Sequence, residues 1–213
     1  MMSKDFFDNI QSKFLKFSSF ENIVEELYLT SIVDSYSRVS VIDGIDSLIE
    51  NQIRDKVYFD LENNNEILKE FIQNKTLKLT NENRIINETD VFRTDIEFFI
   101  STMGTFVIEC KRLSSAEQRY IDDGVARFTS LQYSRQDGEA AMLSFIVGGN
   151  IAAISKNLKD KSSKHEPSDD IALFLDKICM KHPHSFHSKH KRKSVDPILL
   201  HHLFFDFTNL SSN

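Results

Sequence analysis

The sequence predicts an α/β chain of the α+β kind, with a mixed central sheet flanked by helices and a helical extension in front of it. Three observations carry this expectation. Apolar residues recur at three- and four-residue spacing through the first third of the chain. Between residues 76 and 111 they change to short runs of β-branched and aromatic residues, and beyond that helical and extended patterns alternate.

Phe6, Phe7, Ile10, Phe14 and Phe17 lie on one helical face, and Phe20, Ile23, Val24, Leu27 and Leu29 continue it after Ser18-Ser19, so a helical pair is expected. The pattern lapses around residues 34–43, and Asp43-Gly44 marks a turn. A helix carrying Glu50 then runs through Ile45, Leu48, Ile49, Ile53, Val57 and Leu61 until Asn63-Asn64-Asn65 interrupts it, and a short helix through Ile67, Leu68 and Phe71 follows. Leu77–Thr80 and Arg84–Ile86 read as short strands, and Asp95–Ile100 and Thr105–Glu109 as a strong hairpin joined around Met103-Gly104. A helix is expected over 115–131, a buried strand over Met142–Val147, a helix near 150–159, a helical segment from Ile171 to Met180, a His-rich loop, and a closing strand over Pro197–Phe207.

With 213 residues, 40% hydrophobic and 27% charged, the chain has the composition of one ordinary domain with a real core. Two cysteines, Cys110 and Cys179, are too few for a disulfide framework, and nowhere do about 18 apolar residues run together. A cytoplasmic protein with reduced thiols and no membrane span is expected. The net charge of −6 argues against a nucleic-acid partner only as a whole-chain sum. Residues 156–193 carry a local +5 and the remainder −11, so one basic surface is compatible with an acidic total.

Chemistry is concentrated on the hairpin. Glu109 and Lys111 are two apart on one strand and share a face, with Cys110 turned away. A hairpin centred on Met103, with Thr102-Met103-Gly104 as a three-residue loop, sets Asp95 opposite Lys111 and Glu97 opposite Glu109 on that face. A two-residue loop would instead set Asp95 across from Cys110. Carboxylates crowded beside a lysine are costly to keep charged unless a cation joins them, and Mg²⁺ meets that need with oxygen ligands. The alternative is an exposed face bearing ordinary ion pairs, against which the apolar run Phe106-Val107-Ile108 before Glu109 argues.

An Asp on one strand followed by an apolar strand ending in Glu-x-Lys resembles the PD-(D/E)XK, or restriction-endonuclease-like, nuclease superfamily. Asp95 matches the motif Asp, with Thr94 in place of the Pro; Glu109 matches the second acid and Lys111 the lysine. The resemblance covers residues 45 to 150 in element order. It implies an αβββαβ core and a Mg²⁺-dependent phosphodiester hydrolase, with Mn²⁺ as a substitute, acting as a DNA endonuclease of a prokaryotic defence or restriction system. It further implies metal ligation by Asp95, Glu109 and the main-chain carbonyl of Cys110, and a contributing Glu from the first core helix, carried to Glu50. The helix after the motif strand is the expected substrate face, with Arg127 and Gln132 as contacts; Arg127 could equally pair with Asp123 within its helix.

On this reading residues 1–213 form one nuclease-like domain. Residues 1–43 are the helical extension, 44–150 the catalytic core, and 151–213 a basic helical segment and closing strand. Double-stranded DNA is the expected partner, and the N-terminal helices are the expected surface for a homodimer or protein partner. In the His-rich stretch, His190, Lys191, Arg192 and Lys193 form a basic segment suited to a phosphate backbone, or a plain solvated loop. A zinc site through His184 and His187 is a third reading. The alternative to an enzyme is a non-catalytic nucleic-acid-binding or assembly subunit that keeps the fold.

Overall fold

A computed structural model of the protein describes residues 17, 19–86, 91–101, 103–134, 137–165, 168–173 and 184–208. Helix α1 runs from Phe20–Ile23 through a π-helical segment at Val24–Leu29 to Thr30–Val39, and the Ser19 side chain accepts from the Asn22 amide at its start. It continues through residues 34–39 of the polar stretch at 34–43, where a break in the helix is expected. Ser31 and Ser35 are small enough to be buried there, and Tyr36 stacks on Phe205 at 4.2 Å while its hydroxyl donates to the Asp206 carbonyl. Of the helix expected over Phe6–Phe17, only Phe17 is among the described residues.

Gly44, at φ 69°, turns the chain into a 3₁₀ turn at Ile45–Ser47, and helix α2 follows at Glu50–Asn63. Helix α3 spans Glu66–Gln73. Its cap is Asn65, whose Oδ1 accepts from the amides of Ile67 and Leu68 and whose Nδ2 donates to the Ser31 carbonyl, so the cap also fastens α3 to α1. Arg38 joins α1 to α2 through both oxygens of Asp60.

The strands are β1 (Lys78–Asn81), β2 (Arg84–Ile86), β3 (Val91–Arg93), β4 (Ile96–Ile100), β5 (Gly104–Leu113), β6 (Glu139–Ile146), β7 (Ser168–Leu173), β8 (Phe186–Arg192) and β9 (Val195–Asp206). Between β5 and β6 stand a π-helical turn, Ile121–Val125, and a short helix α4, Ala126–Thr129; helix α5, Ile151–Ser162, follows β6. Seven strands form one mixed sheet in the order β1-β4-β5-β6-β9-β8-β7, and β2 and β3 pair with each other as a separate ribbon. β1, β4 and β5 are antiparallel neighbours, and β6 lies parallel to both β5 and β9. Alternation along the strands divides the core in two. Ile96, Phe98, Phe106, Ile108 and Cys110 face α1–α3, while Val107, Leu113 and Met142 face α4 and α5.

Four expectations are corrected. The hairpin is in register Ile96↔Ile108 and Ile100↔Gly104, two residues from the one centred on Met103. Gly104, at φ 104°, opens β5 rather than ending the loop. A shift of two preserves the face, so Asp95 still shares the side of Glu109 and Lys111, but it stands level with Glu109. The helix expected over 115–131 shrinks to residues 119–129, and Leu131, expected inside it, takes φ 65°. The segment from Ile171 begins as the end of strand β7, its continuation lying outside the described residues. The His-rich loop is in large part strand β8, paired to β9.

Candidate functional site

Glu109 is wholly buried on β5, beyond the point where β4 stops pairing. Its Oε1 accepts from Lys111 Nζ at 2.5 Å and from Arg127 at 2.7 Å, while Oε2 is buried with no hydrogen-bond partner. Burial, and next the charge of Asp95, pushes its pKa up to about 7 despite those two cations. Arg127 also donates to the Tyr133 hydroxyl, which in turn donates to the Arg93 carbonyl. The intrahelical Arg127–Asp123 pair is therefore replaced by a contact with the motif acid.

The free edge of β5 supplies the rest. Leu113 bonds toward β6 through its carbonyl, so the main-chain groups of Cys110 and Arg112 point to the other edge. There the Cys110 amide donates to Asp95 Oδ2 at 2.7 Å, and the Arg112 amide donates to Glu50 Oε2 at 2.7 Å. By the same alternation the Cys110 carbonyl leaves this edge between the two carboxylates. The Cys110 thiol points into the first core, where burial pushes its pKa up. Glu50 opens α2, where a negative charge suits the helix N-terminus, and Arg54 one turn later reaches Asp95 Oδ1 at 3.0 Å. Arg54 is 4% exposed and also contacts Asp55 and Glu82.

Glu50, Arg54, Asp95, Glu109, Lys111, Arg127 and Tyr133 line one cavity of about 260 Å³, together with Asn51, Glu82, Phe92 and Arg93. Five residues singled out on sequence, Glu50, Asp95, Glu109, Lys111 and Arg127, thus come together. Gly124 helps seat the turn before α4: a Cβ there would meet Met142 Cε at 2.4 Å and approach the Lys111 side chain at 3.7 Å.

The remaining candidates lie elsewhere. Gln132 is half-buried and does not line the cavity, where its neighbour Tyr133 stands instead. His190 is a correction: it points inward on β8, its Nε2 bonded to Ser188 Oγ at 2.7 Å, and burial pushes its pKa down to about 4. A neutral, enclosed imidazole does not contact phosphate. Arg192 is corrected in the same way, because its guanidinium donates to the carbonyls of Asp196, Ser134 and Asp137 and is 7% exposed. Lys193 is exposed in the β8–β9 turn and is not part of the cavity. β8 lies three strands from β5, roughly 14 Å across the sheet.

Arg54 was missed on sequence. Its position four residues past Glu50 on one helix was the available signal. Among the described residues no group of three His, Cys, Asp or Glu side chains is placed to hold a metal ion, and this includes His184, His187 and His190. Nor does any helix among them have the length and apolarity to cross a membrane. Comparisons with protein-family models, with curated proteins and with solved structures returned no match.

Proposed function

We propose that the chain is a Mg²⁺-dependent nuclease that hydrolyses phosphodiester bonds in DNA. The observation that carries the reading is the convergence of Glu50, Asp95, Glu109 and Lys111, from α2, the entry to β4, and β5, on one cavity at the free edge of a central strand. The order α2, β1, β4, β5, α4, β6, with three antiparallel strands and a parallel fourth, also supports the resemblance to a PD-(D/E)XK core.

The donors suit a hard cation that keeps several waters. Asp95 and the Cys110 carbonyl lie along one strand edge with Glu50 beside them, and Glu109 Oε2 is a buried acceptor that no protein donor serves. Asp95 and Glu109, with the Cys110 carbonyl, are the groups that would hold Mg²⁺ or Mn²⁺, water completing the shell, and the ion when bound would supply an activated water and charge neutralisation at the phosphate. Lys111, held by Glu109, would orient the attacking water and stabilise the charge that develops on the phosphoryl oxygens. Arg127 donates to the same Glu109 oxygen as Lys111 and is itself tied to the Tyr133 hydroxyl, which leaves Oε2 without a protein donor. A duplex cut on both strands needs two such cavities, so the proposal includes a homodimer or a protein partner, in the setting of prokaryotic defence.

One observation favours a second reading, a non-catalytic nucleic-acid-binding or assembly subunit. Both motif acids already engage cations of the protein, Asp95 through Arg54 and Glu109 through Lys111 and Arg127. Incubation of the purified protein with circular and linear, single- and double-stranded DNA and RNA, in Mg²⁺, Mn²⁺ or EDTA, separates the two. Metal-dependent cleavage that Asp95→Ala abolishes supports the nuclease; binding without cleavage under every condition supports the subunit.

A further inference from the structure

The β2–β3 ribbon stands outside the main sheet at the rim of the cavity, contributing Phe92 and Arg93 to its wall. Its pairing is antiparallel, with Arg84 opposite Arg93 and Ile85 opposite Phe92. Alternation gives the ribbon two unlike faces. Ile85 and Phe92 pack against the second core, so Arg84 and Arg93 occupy the opposite face, where both are exposed. Like charges directly opposite on a two-stranded ribbon oppose its folding, and among the described residues this pair is only weakly compensated. Arg84 has no hydrogen-bond or ion-pair partner among the described residues, and the nearest carboxylate oxygen to Arg93, on Glu82, is 3.9 Å away. Glu82 is itself held by Arg54 at 3.1 Å.

The deeper cations of the cavity are committed differently. Arg54, Lys111 and Arg127 each pair with a buried or cavity-lining carboxylate. Of the basic groups expected to bind a phosphate backbone, His190 and Arg192 turn inward. Arg93 in the cavity wall, only loosely paired with Glu82, and Arg84 across from it, unpaired among the described residues, are what a chain of phosphodiesters would neutralise, each fork matching one phosphate.

We infer that the Arg84/Arg93 face of the ribbon grips the nucleic-acid backbone beside the phosphodiester that enters the cavity. This rests on the nuclease reading of the cavity, naming the surface that holds its substrate.

The test is fluorescence anisotropy of a labelled 20-base-pair duplex titrated with protein in EDTA at several salt concentrations, so that binding is read without turnover. Each phosphate contact contributes about 0.9 to the slope of log affinity against log salt, so Arg84→Ala/Arg93→Ala should lower the slope by roughly 2 and weaken binding at least tenfold at about 0.1 M salt. Arg84→Lys/Arg93→Lys should keep most of the slope, and Lys193→Ala should keep all of it. The melting temperature of the alanine variant should stay level or rise, because the removed charges repel. Unchanged affinity and slope in the alanine variant, no binding by the wild-type protein at low salt, or a loss that appears instead in Lys193→Ala would each overturn the inference. DNA and RNA duplexes of one sequence should show the same loss, and the tighter of the two identifies the substrate. The two readings fail separately: cleavage with unchanged kcat/KM in the alanine variant sinks this inference alone, while ribbon-dependent binding without metal-dependent cleavage sinks the nuclease alone.

Discussion

Replacing Glu109 with Gln removes one buried charge while keeping its shape, and the structure specifies the sign and size of the effect. Glu109 is 0% exposed, and its pKa lies at about 7 against an ordinary 4.5. The burial cost and the nearby Asp95 outweigh the attraction of Lys111 and Arg127. A folded-state pKa above the unfolded one means that the folded protein binds the extra proton between those values. The stability that protonation contributes is therefore complete below about pH 4.5 and lost as pH rises through about 7. The loss is roughly 3 kcal/mol, from about 1.4 kcal/mol for each pH unit separating the two pKa values. Gln mimics the protonated acid, so Glu109→Gln should match the wild-type protein near pH 4.5 and exceed it by up to about 3 kcal/mol at pH 8.5. The assay is urea denaturation in EDTA at half-unit pH steps, each curve giving one stability. A difference that stays flat with pH, or a variant that becomes less stable than wild type toward pH 8.5, would show that the ion pairs hold the carboxylate charged and would refute this balance.

Further predictions concern the scaffold. Asn65→Ala loses two bonds to helix amides and one to the Ser31 carbonyl, so urea denaturation should show a loss of about 2 kcal/mol with the cavity chemistry intact. His190, with its pKa lowered from 6.5 to about 4, must be neutral to stay buried. Its contribution is present above about pH 6.5 and falls by roughly 3 kcal/mol as pH drops through 4, so His190→Gln should flatten the acid limb of the stability profile. Arg192→Ala leaves the carbonyls of Ser134, Asp137 and Asp196 without their donor and should cost about 3 kcal/mol in the same assay. Nucleic-acid affinity should be unchanged in that variant; a purely affinity-based defect would return Arg192 to the binding surface.

The readable part of the site rests on the two-residue period of a strand. Glu109, Lys111 and Asp95 share a face in any register displaced by an even number, so their convergence survived an error of two residues in the hairpin. Glu50 was named through the family resemblance and not by local pattern, which starts the helix at Ile45, whereas α2 begins at Glu50 after a separate 3₁₀ turn. Arg54 offered one signal, its place one helical turn past Glu50, but its bond to Asp95 depends on how α2 docks against the residues before β4, which no local pattern encodes. β8 escaped notice for a different reason. Its inward residues are Phe186, Ser188, His190 and Arg192, three of them polar, and they are buried through hydrogen bonds to one another, to His202 and to main-chain carbonyls. A strand whose core face is polar carries no hydrophobic alternation to detect. The continuation of α1 through residues 34–39 was hidden likewise, because its buried face there includes Ser35 and Tyr36, whose hydroxyls bond within the fold.

The central claim is that the cavity performs metal-dependent phosphodiester hydrolysis, and the nicking rate of supercoiled plasmid tests it most directly. The rate is measured against Mg²⁺ concentration for the wild-type protein, Asp95→Asn and Lys111→Met. The wild-type rate should rise with Mg²⁺ to a plateau and vanish in EDTA, and each variant should lose at least about 100-fold. Nicking that proceeds in EDTA, or that either variant retains at the wild-type rate, would contradict the account.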